Sequence, residues 1–291
     1  MTAPYPLASA EASLEVRSAQ DADYEDISQL IFLESQVHRH LDWRAPLDWL
    51  GRDPFLVIQE GGRLSAVLAC PPDPDSIAWI RLFVSNSHIS GQAAWQLLWP
   101  VAREQLGRQR GTTAAAIATQ RWFEPILTQD GFELITHIVM LEWKDRPPPR
   151  ATVPSAMRIR PMVGEDLPAV AEVDAAAFEP LWRNSLEALT YAKAQASYVS
   201  VAEDSTGLLA YQLSTSGTFG THLARLAVRP QAQRRGLGRA LVADLIEHMP
   251  VLPEPRLTVN TQANNGASLA LYDALGFRRT GEQYPVYALR V

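Results

Sequence analysis

The densest group of chemically capable residues is Gln233-Arg234-Arg235-Gly236-Leu237-Gly238-Arg239. It sits between two regular elements. Leu223, Leu226 and Val228 have strand composition, Pro230 ends any ladder, and Leu241, Val242, Leu245 and Ile246 repeat at the spacing of one buried helix face. A strand, a basic loop and a helix start follow one another. Free backbone N–H groups and the positive end of the dipole meet at a helix N-terminus, so the loop favours an anion. Glycine at 236 and 238 allows close approach to the backbone, and a pyrophosphate fits such a site. Arg225, Arg229, Arg234, Arg235 and Arg239 add charge, with no acidic residue between the first and the last. No Gly-Lys-Ser/Thr follows, so the loop is not a P-loop, and it is not Gly-x-Gly-x-x-Gly. By itself the stretch reads equally as a tight strand-to-helix connection with solvated arginines.

A second group lies downstream, after a short strand over Arg256–Asn260. It is Asn265-x-x-Ser268-x-x-Leu271-Tyr272-x-x-x-Gly276-Phe277. Seven residues make two helical turns, which puts Asn265 and Tyr272 on one face about 10 Å apart. Together and in this order, the two groups resemble the GNAT superfamily of acyl-CoA-dependent N-acetyltransferases.

That resemblance implies a mixed sheet whose fourth and fifth strands splay apart to take acetyl-CoA as co-substrate, with no metal. The pantetheine arm would pair with the backbone of Leu226, Ala227 and Val228. The pyrophosphate would rest on N–H groups of Arg234, Arg235, Gly236, Leu237, Gly238 and Arg239, with Gln233 shaping the loop. Asn265 would contact the cofactor, and Tyr272 would protonate the departing thiolate. The alternative for Tyr272 is a core aromatic packed on Leu269 and Leu275. Where many relatives carry a carboxylate as general base, this chain has His222; Glu179, Glu203 and water are the alternatives. The acceptor groove is expected from Phe178–Ser185, with Trp182, and from the region of Tyr284 and Tyr287. The resemblance leaves the amine open: a small molecule, or a peptide or protein end.

The elements that must position these residues follow from periodicity and turn signals. In the first half we expect a strand at Leu14–Arg17 and a helix at Ala22–Val37. An irregular segment, His38–Asp53, precedes strands at Phe55–Gln59, Leu64–Cys70 and Ala78–Val84. A helix near Gln92–Leu106, a strand at Thr113–Ala118, a helix at Phe123–Gln129 and a strand at Ile135–Trp143 complete it. The second half repeats the layout. Strands are expected at Met157–Arg160, Tyr198–Ala202, Leu208–Thr215, Thr221–Val228 and Val286–Val291, and helices at Asp166–Phe178 and Ser185–Ala196.

The repetition has a nearly constant offset. Arg81-Leu-Phe-Val84 matches Arg225-Leu-Ala-Val228 at 144, Gly131-Phe132 matches Gly276-Phe277 at 145, and Leu14–Arg17 matches Met157–Arg160 at 143 to 144. We therefore expect an α/β (α+β) chain of two tandem GNAT-like domains, each a mixed, mostly antiparallel twisted sheet flanked by helices. Residues 1–146 would be a degenerate copy, 147–156 a proline-rich linker and 157–291 the acetyltransferase domain. At the 144 offset Gln92 and Ala94 replace Gly236 and Gly238, so the first copy is expected to have lost the cofactor site.

Composition narrows the field. The 291 residues carry a formal charge of −6, and 47% are hydrophobic, ordinary for a globular protein. The basic loop sits in a half with balanced charges, 13 Lys+Arg against 13 Asp+Glu over 157–291. A general nucleic-acid surface is not supported. No apolar run reaches membrane-spanning length, and the single cysteine, Cys70, fits a reducing compartment, so neither a membrane nor a nucleic-acid partner is expected and the cytoplasm is the expected location. The leading reading is an N-acetyltransferase; a non-catalytic acyl-CoA sensor is the alternative.

Overall fold

The computed structural model describes residues 14–108, 111–144, 156–218, 220–250 and 255–291. Apart from Ala156, the expected linker lies outside the described residues. In the first half the elements are β1 (Glu15–Ser18), α1 (Tyr24–Leu33), β2 (Val37–Arg39), β3 (Phe55–Glu60), β4 (Arg63–Ala69), β5 (Ile77–Trp79), β6 (Leu82–Ser85), α2 (Gly91–Gly107), β7 (Thr113–Ile117), α3 (Phe123–Gln129) and β8 (Glu133–Lys144). The second half has β9 (Arg158–Pro161), α4 (Leu167–Ala177), α5 (Leu186–Gln195), β10 (Tyr198–Asp204), β11 (Gly207–Gly217), β12 (Gly220–Val228), α6 (Leu237–His248), β13 (Arg256–Gln262), α7 (Gly266–Ala274) and β14 (Arg278–Arg290).

Two sheets result, a five-stranded antiparallel one of order β1-β3-β4-β6-β2 and a nine-stranded mixed, mostly antiparallel one of order β5-β7-β14-β8-β13-β12-β11-β10-β9, so the mixed sheet expected for each half is found once and shared by both. The halves do not keep their strands to themselves. β7 of the first half pairs with β14, the last strand of the second, while β13 of the second pairs with β8, the last strand of the first. β8 and β14 also pair with each other, so the long sheet is continuous across both halves. The internal duplication is visible in the register: Ile77 lies opposite Thr113 in the parallel pair β5/β7, and Thr221 opposite Leu257 in β12/β13, 144 residues on in both strands.

Side chains repeat it too. Arg17 grips Asp23 through two nitrogens at 2.7 and 2.8 Å and reaches Gln59, while Asp23 accepts the Gln20 N–H. Arg160 grips Asp166 at 2.7 and 2.8 Å and reaches Glu203, while Asp166 accepts the Val163 N–H. Each carboxylate thus closes the start of a helix and locks it to the first strand of its half.

The first-half expectations fail at one informative place. The helix expected to reach Val37 ends at Leu33, and Val37–Arg39 becomes β2, antiparallel to β6. Because β7 pairs with β5 and not with β6, the outer edge of β6 needs partners, and β2 supplies them. The strand expected over Ala78–Val84 is likewise split into β5 and β6. Ile80 N–H bonds to Ala115 on one side and Arg81 N–H to Ala69 on the other, so the chain changes partner there.

Candidate active site

β12 and β13 run parallel only through Thr221–Leu223 before they separate. Beyond that point one edge of β12 is free. Arg229 N–H bonds to Leu209 O, and the antiparallel alternation then turns the backbone groups of Ala227 toward β11 and those of Leu226 and Val228 outward. The expected pairing segment therefore offers Leu226 and Val228, whereas Ala227 is committed to the sheet. Gln233 reaches back to donate to the outward Val228 carbonyl at 3.2 Å, which ties the loop to the strand.

The loop then enters α6 through Gly236, whose φ of +84° is the left-handed region that glycine adopts without strain. No side chain caps α6, so its leading N–H groups are unspent. Arg234 is held at φ +60°, a strained value for a non-glycine residue. Arg234, Arg235 and Arg239 are exposed beside this helix start. The other two expected arginines have different duties. Arg225 is paired with buried Asp174 at 2.6 Å, donates to Trp182 O at 2.6 Å and lies 3.7 Å from the Phe178 ring. Arg229 pairs with Glu172 at 3.0 Å. Three arginines, not five, face the anion position, because two were drawn into packing on α4.

Gly238 is closely packed as well. A Cβ there would stand 3.1 Å from Leu271 and 3.9 Å from Leu226 and Val228, so its bare backbone keeps open the groove between the β12 edge and α7. Across that groove Asn265 caps α7, accepting the Ser268 N–H at 3.1 Å and donating to Gln262 at 3.2 Å. Tyr272 is only 4% exposed and packs on Phe277 at 5.3 Å, yet it lines the same cavity as Leu226 and Asn265. Its hydroxyl has no hydrogen bond among the described residues. Burial raises the phenol's pKa above its ordinary range, so the group stays protonated.

His222 lines this cavity from β12. Its Nδ1 shares a hydrogen bond with Thr258 Oγ1 at 2.9 Å, and that hydroxyl also lies 3.3 Å from Thr221 O, which fixes the ring's orientation. Burial lowers the imidazole pKa, which keeps the ring neutral. The carboxylate alternatives are not placed here. Glu203 is bound by Arg158 at 2.5 Å and Arg160 at 2.8 Å on the edge strands, and Glu179 is exposed and absent from the cavity wall.

The cavity, about 890 Å³, crosses the face of the long sheet and is walled by both halves. Phe178, Trp182 and Tyr284 line it, as expected; Tyr287 does not. The strand exchange carries Tyr287 into the first half's core, where it faces Ala116 and donates to Glu124 at 3.0 Å. Sequence reasoning gave the first half a possible wall of the acceptor site but named none of its residues, which are His40, Trp43 and Trp79. The aromatic density of 38–53 was the available signal, but no spacing rule connects it to a site 180 residues away.

The corresponding place in the first half is closed. β2 covers the edge of β6, with His38 opposite Phe83 and its Nε2 3.0 Å from Ile80 O, and Phe123 packs against both rings, tilted on His38 at 4.4 Å and stacked on Phe83 at 5.6 Å. Ser90 caps α2, accepting the Ala93 N–H at 3.2 Å. The caps Ser90 and Gly236 are 146 residues apart, so the counterparts of Gly236 and Gly238 are Ser90 and Gln92, not Gln92 and Ala94.

Residues 167–277 match the model of the acetyltransferase (GNAT) family. The chain is 44% identical over 55 residues to the [Ribosomal protein bS18]-alanine N-acetyltransferase of Escherichia coli strain K12, covering 19% of this chain and 37% of that protein. It spans about a third of the length of the curated relatives it matches. Similar solved structures cover nearly everything. A tandem GNAT protein from the clavulanic acid biosynthesis pathway superposes with a TM-score of 0.62 at 16% identity, over 96% of this chain and 98% of that one. A GCN5-related N-acetyltransferase from Sphaerobacter thermophilus gives 0.59 at 17% identity, over 95% of each. Residues 167–277 are thus similar to the acetyltransferase (GNAT) family, and the whole strand-exchanged frame is similar in fold to tandem GNAT proteins.

Proposed function

We propose that the chain is an N-acetyltransferase that moves an acetyl group from acetyl-CoA to a primary amine by direct attack in a ternary complex, with one acetyl-CoA per chain. The observation that carries this reading is the convergence, at one splay of the sheet, of a free β12 edge, an uncapped glycine-led start of α6 and the Tyr272 side chain. An extended amide chain can pair with an edge strand, so the outward groups of Leu226 and Val228 would hold the pantetheine arm. The N–H groups from Arg234 to Arg239 would hold the pyrophosphate. Acetyl-CoA supplies an activated acyl carbon on a thiol leaving group.

The chain's own groups then manage the protons. As the amine nitrogen bonds to the acyl carbon and the carbon–sulfur bond breaks, Tyr272 donates its proton toward sulfur, where charge develops. The amine must shed a proton, and the neutral His222 imidazole takes it, directly or through water. Residues 157–291 form the catalytic unit in this reading, with β8 of the first half completing its sheet, and residues 1–146 form a copy without a cofactor site. A buried free thiol at Cys70 suits a reducing compartment, in keeping with the cytoplasm.

Free-thiol release from acetyl-CoA, measured across a panel of amines, tests the proposal. Amine-dependent release is expected. Tight acetyl-CoA binding without transfer to any amine, and unchanged by Tyr272→Phe, would replace it with the alternative of a non-catalytic sensor.

A further inference from the structure

The acceptor side of the cavity has a composition of its own. Trp79 of β5 stands with its ring 5.6 Å from that of Trp182, which lies in the short turn after α4, and His40 stacks on Trp79 at 4.6 Å. Trp43 lines the same space, and the floor between these rings and His222 is made by Ile138, Met140 and Tyr284 on the exchanged strands β8 and β14. The rings are held firmly. Trp79 is 6% exposed, and the Trp182 carbonyl is bonded by Arg225, itself anchored on buried Asp174, which also accepts the Asn184 N–H at 2.8 Å.

Carboxylates are scarce by comparison. Two acids line the cavity, and Asp42 is engaged by Arg81 at 2.6 Å. Asp73 is left as the single acid on the wall whose side chain has no ion pair among the described residues. A polyamine with several charges beyond its reacting nitrogen would find one counter-charge. A flat apolar body would find aromatic faces along the path from His222 to the first half.

From this composition, and resting on the acetyl-transfer reading above, we infer that the acceptor is a primary amine carried on a flat aromatic body, bound against the contiguous aromatic surface that Trp79 of the first half and Trp182 of the second form together. The first half is then the specificity wall of a site whose chemistry belongs to the second.

The test measures acetyl-CoA-dependent acylation of tryptamine, n-butylamine and spermidine by the full chain, with acetyl-CoA affinity measured separately by calorimetry. Tryptamine is expected to exceed both others at least tenfold in kcat/KM. Trp182→Leu should raise KM for tryptamine about tenfold, keep kcat within threefold and leave acetyl-CoA affinity unchanged, since stacked aromatic contacts bind substrate without touching the reacting atoms. Trp79→Leu should do the same, and Trp182→Leu, at a half-buried rim, answers the question if Trp79→Leu does not fold. Transfer to butylamine or spermidine as efficient as to tryptamine, or an unchanged KM in Trp182→Leu, would overturn this inference alone. Failure of the chain to bind acetyl-CoA would overturn the reading beneath it and this one with it.

Discussion

Gly238→Ala separates the groove from the fold. The new methyl would stand 3.1 Å from Leu271 Cδ2 and 3.9 Å from both Leu226 and Val228. Leu271 must yield by a few tenths of an ångström, an overpacking cost of about 1 kcal/mol, and the helix regains about 1 kcal/mol because alanine is the better helix former. Folding stability should therefore stay within about 1 kcal/mol of the parent value. The groove fares differently. A chain paired with the β12 edge lies about 4.8 Å from it, in the space the methyl narrows, so acetyl-CoA affinity should fall at least tenfold, or about 1.4 kcal/mol. Gly236→Ala provides the contrast. Nothing lies within 4 Å of its Cβ position, but φ is +84°, so it should cost about 1–2 kcal/mol of stability and change affinity less than Gly238→Ala does. Urea denaturation and calorimetry measure the two quantities. A folded Gly238→Ala protein that binds acetyl-CoA within twofold of the parent would refute the assignment of this groove.

Tyr272→Phe should lower kcat at least tenfold and alter acetyl-CoA affinity little, because the hydroxyl acts only as charge appears on sulfur; equal kcat values in a stopped assay would return Tyr272 to the core. Calorimetric titration of the intact chain should give one acetyl-CoA per chain, since β2 and Ser90 close the first half's counterpart; two equivalent sites would contradict that. Asp174→Ala should cost about 3–5 kcal/mol in urea denaturation, because it strands the Arg225 charge and frees the Tyr211 hydroxyl that donates to Asp174. His38 is buried and its pKa is lowered to about 4, mainly by desolvation. Between its unfolded value near 6.5 and about 4 the unfolded chain binds more protons, so His38 should contribute a fall in stability of roughly 3 kcal/mol as pH falls through that window, with buried His40 acting in the same direction. Denaturation midpoints that do not differ between pH 7 and pH 4 would contradict this.

The sequence determined the element order, the duplication and the core of the site, because each of these is local. Helix and strand periods, the Gly-Phe after each half's last helix and the Gln233–Arg239 and Asn265–Tyr272 groups report on a few turns of chain. A repeat offset needs only the chain itself. What the tertiary structure decided is everything that depends on which distant partner wins. Arg225 and Arg229 look like part of an anion cluster until Asp174 and Glu172 on α4 claim them. Tyr287 looks like acceptor lining until β14 crosses into the first half. Val37–Arg39 looks like a helix end running into an irregular segment, yet the unpaired edge of β6 draws it into a strand, since a strand edge left without partners costs more than a weak local propensity. That choice closes the first half's groove, and the segment that follows β2 supplies His40 and Trp43 to a wall of the second half's cavity.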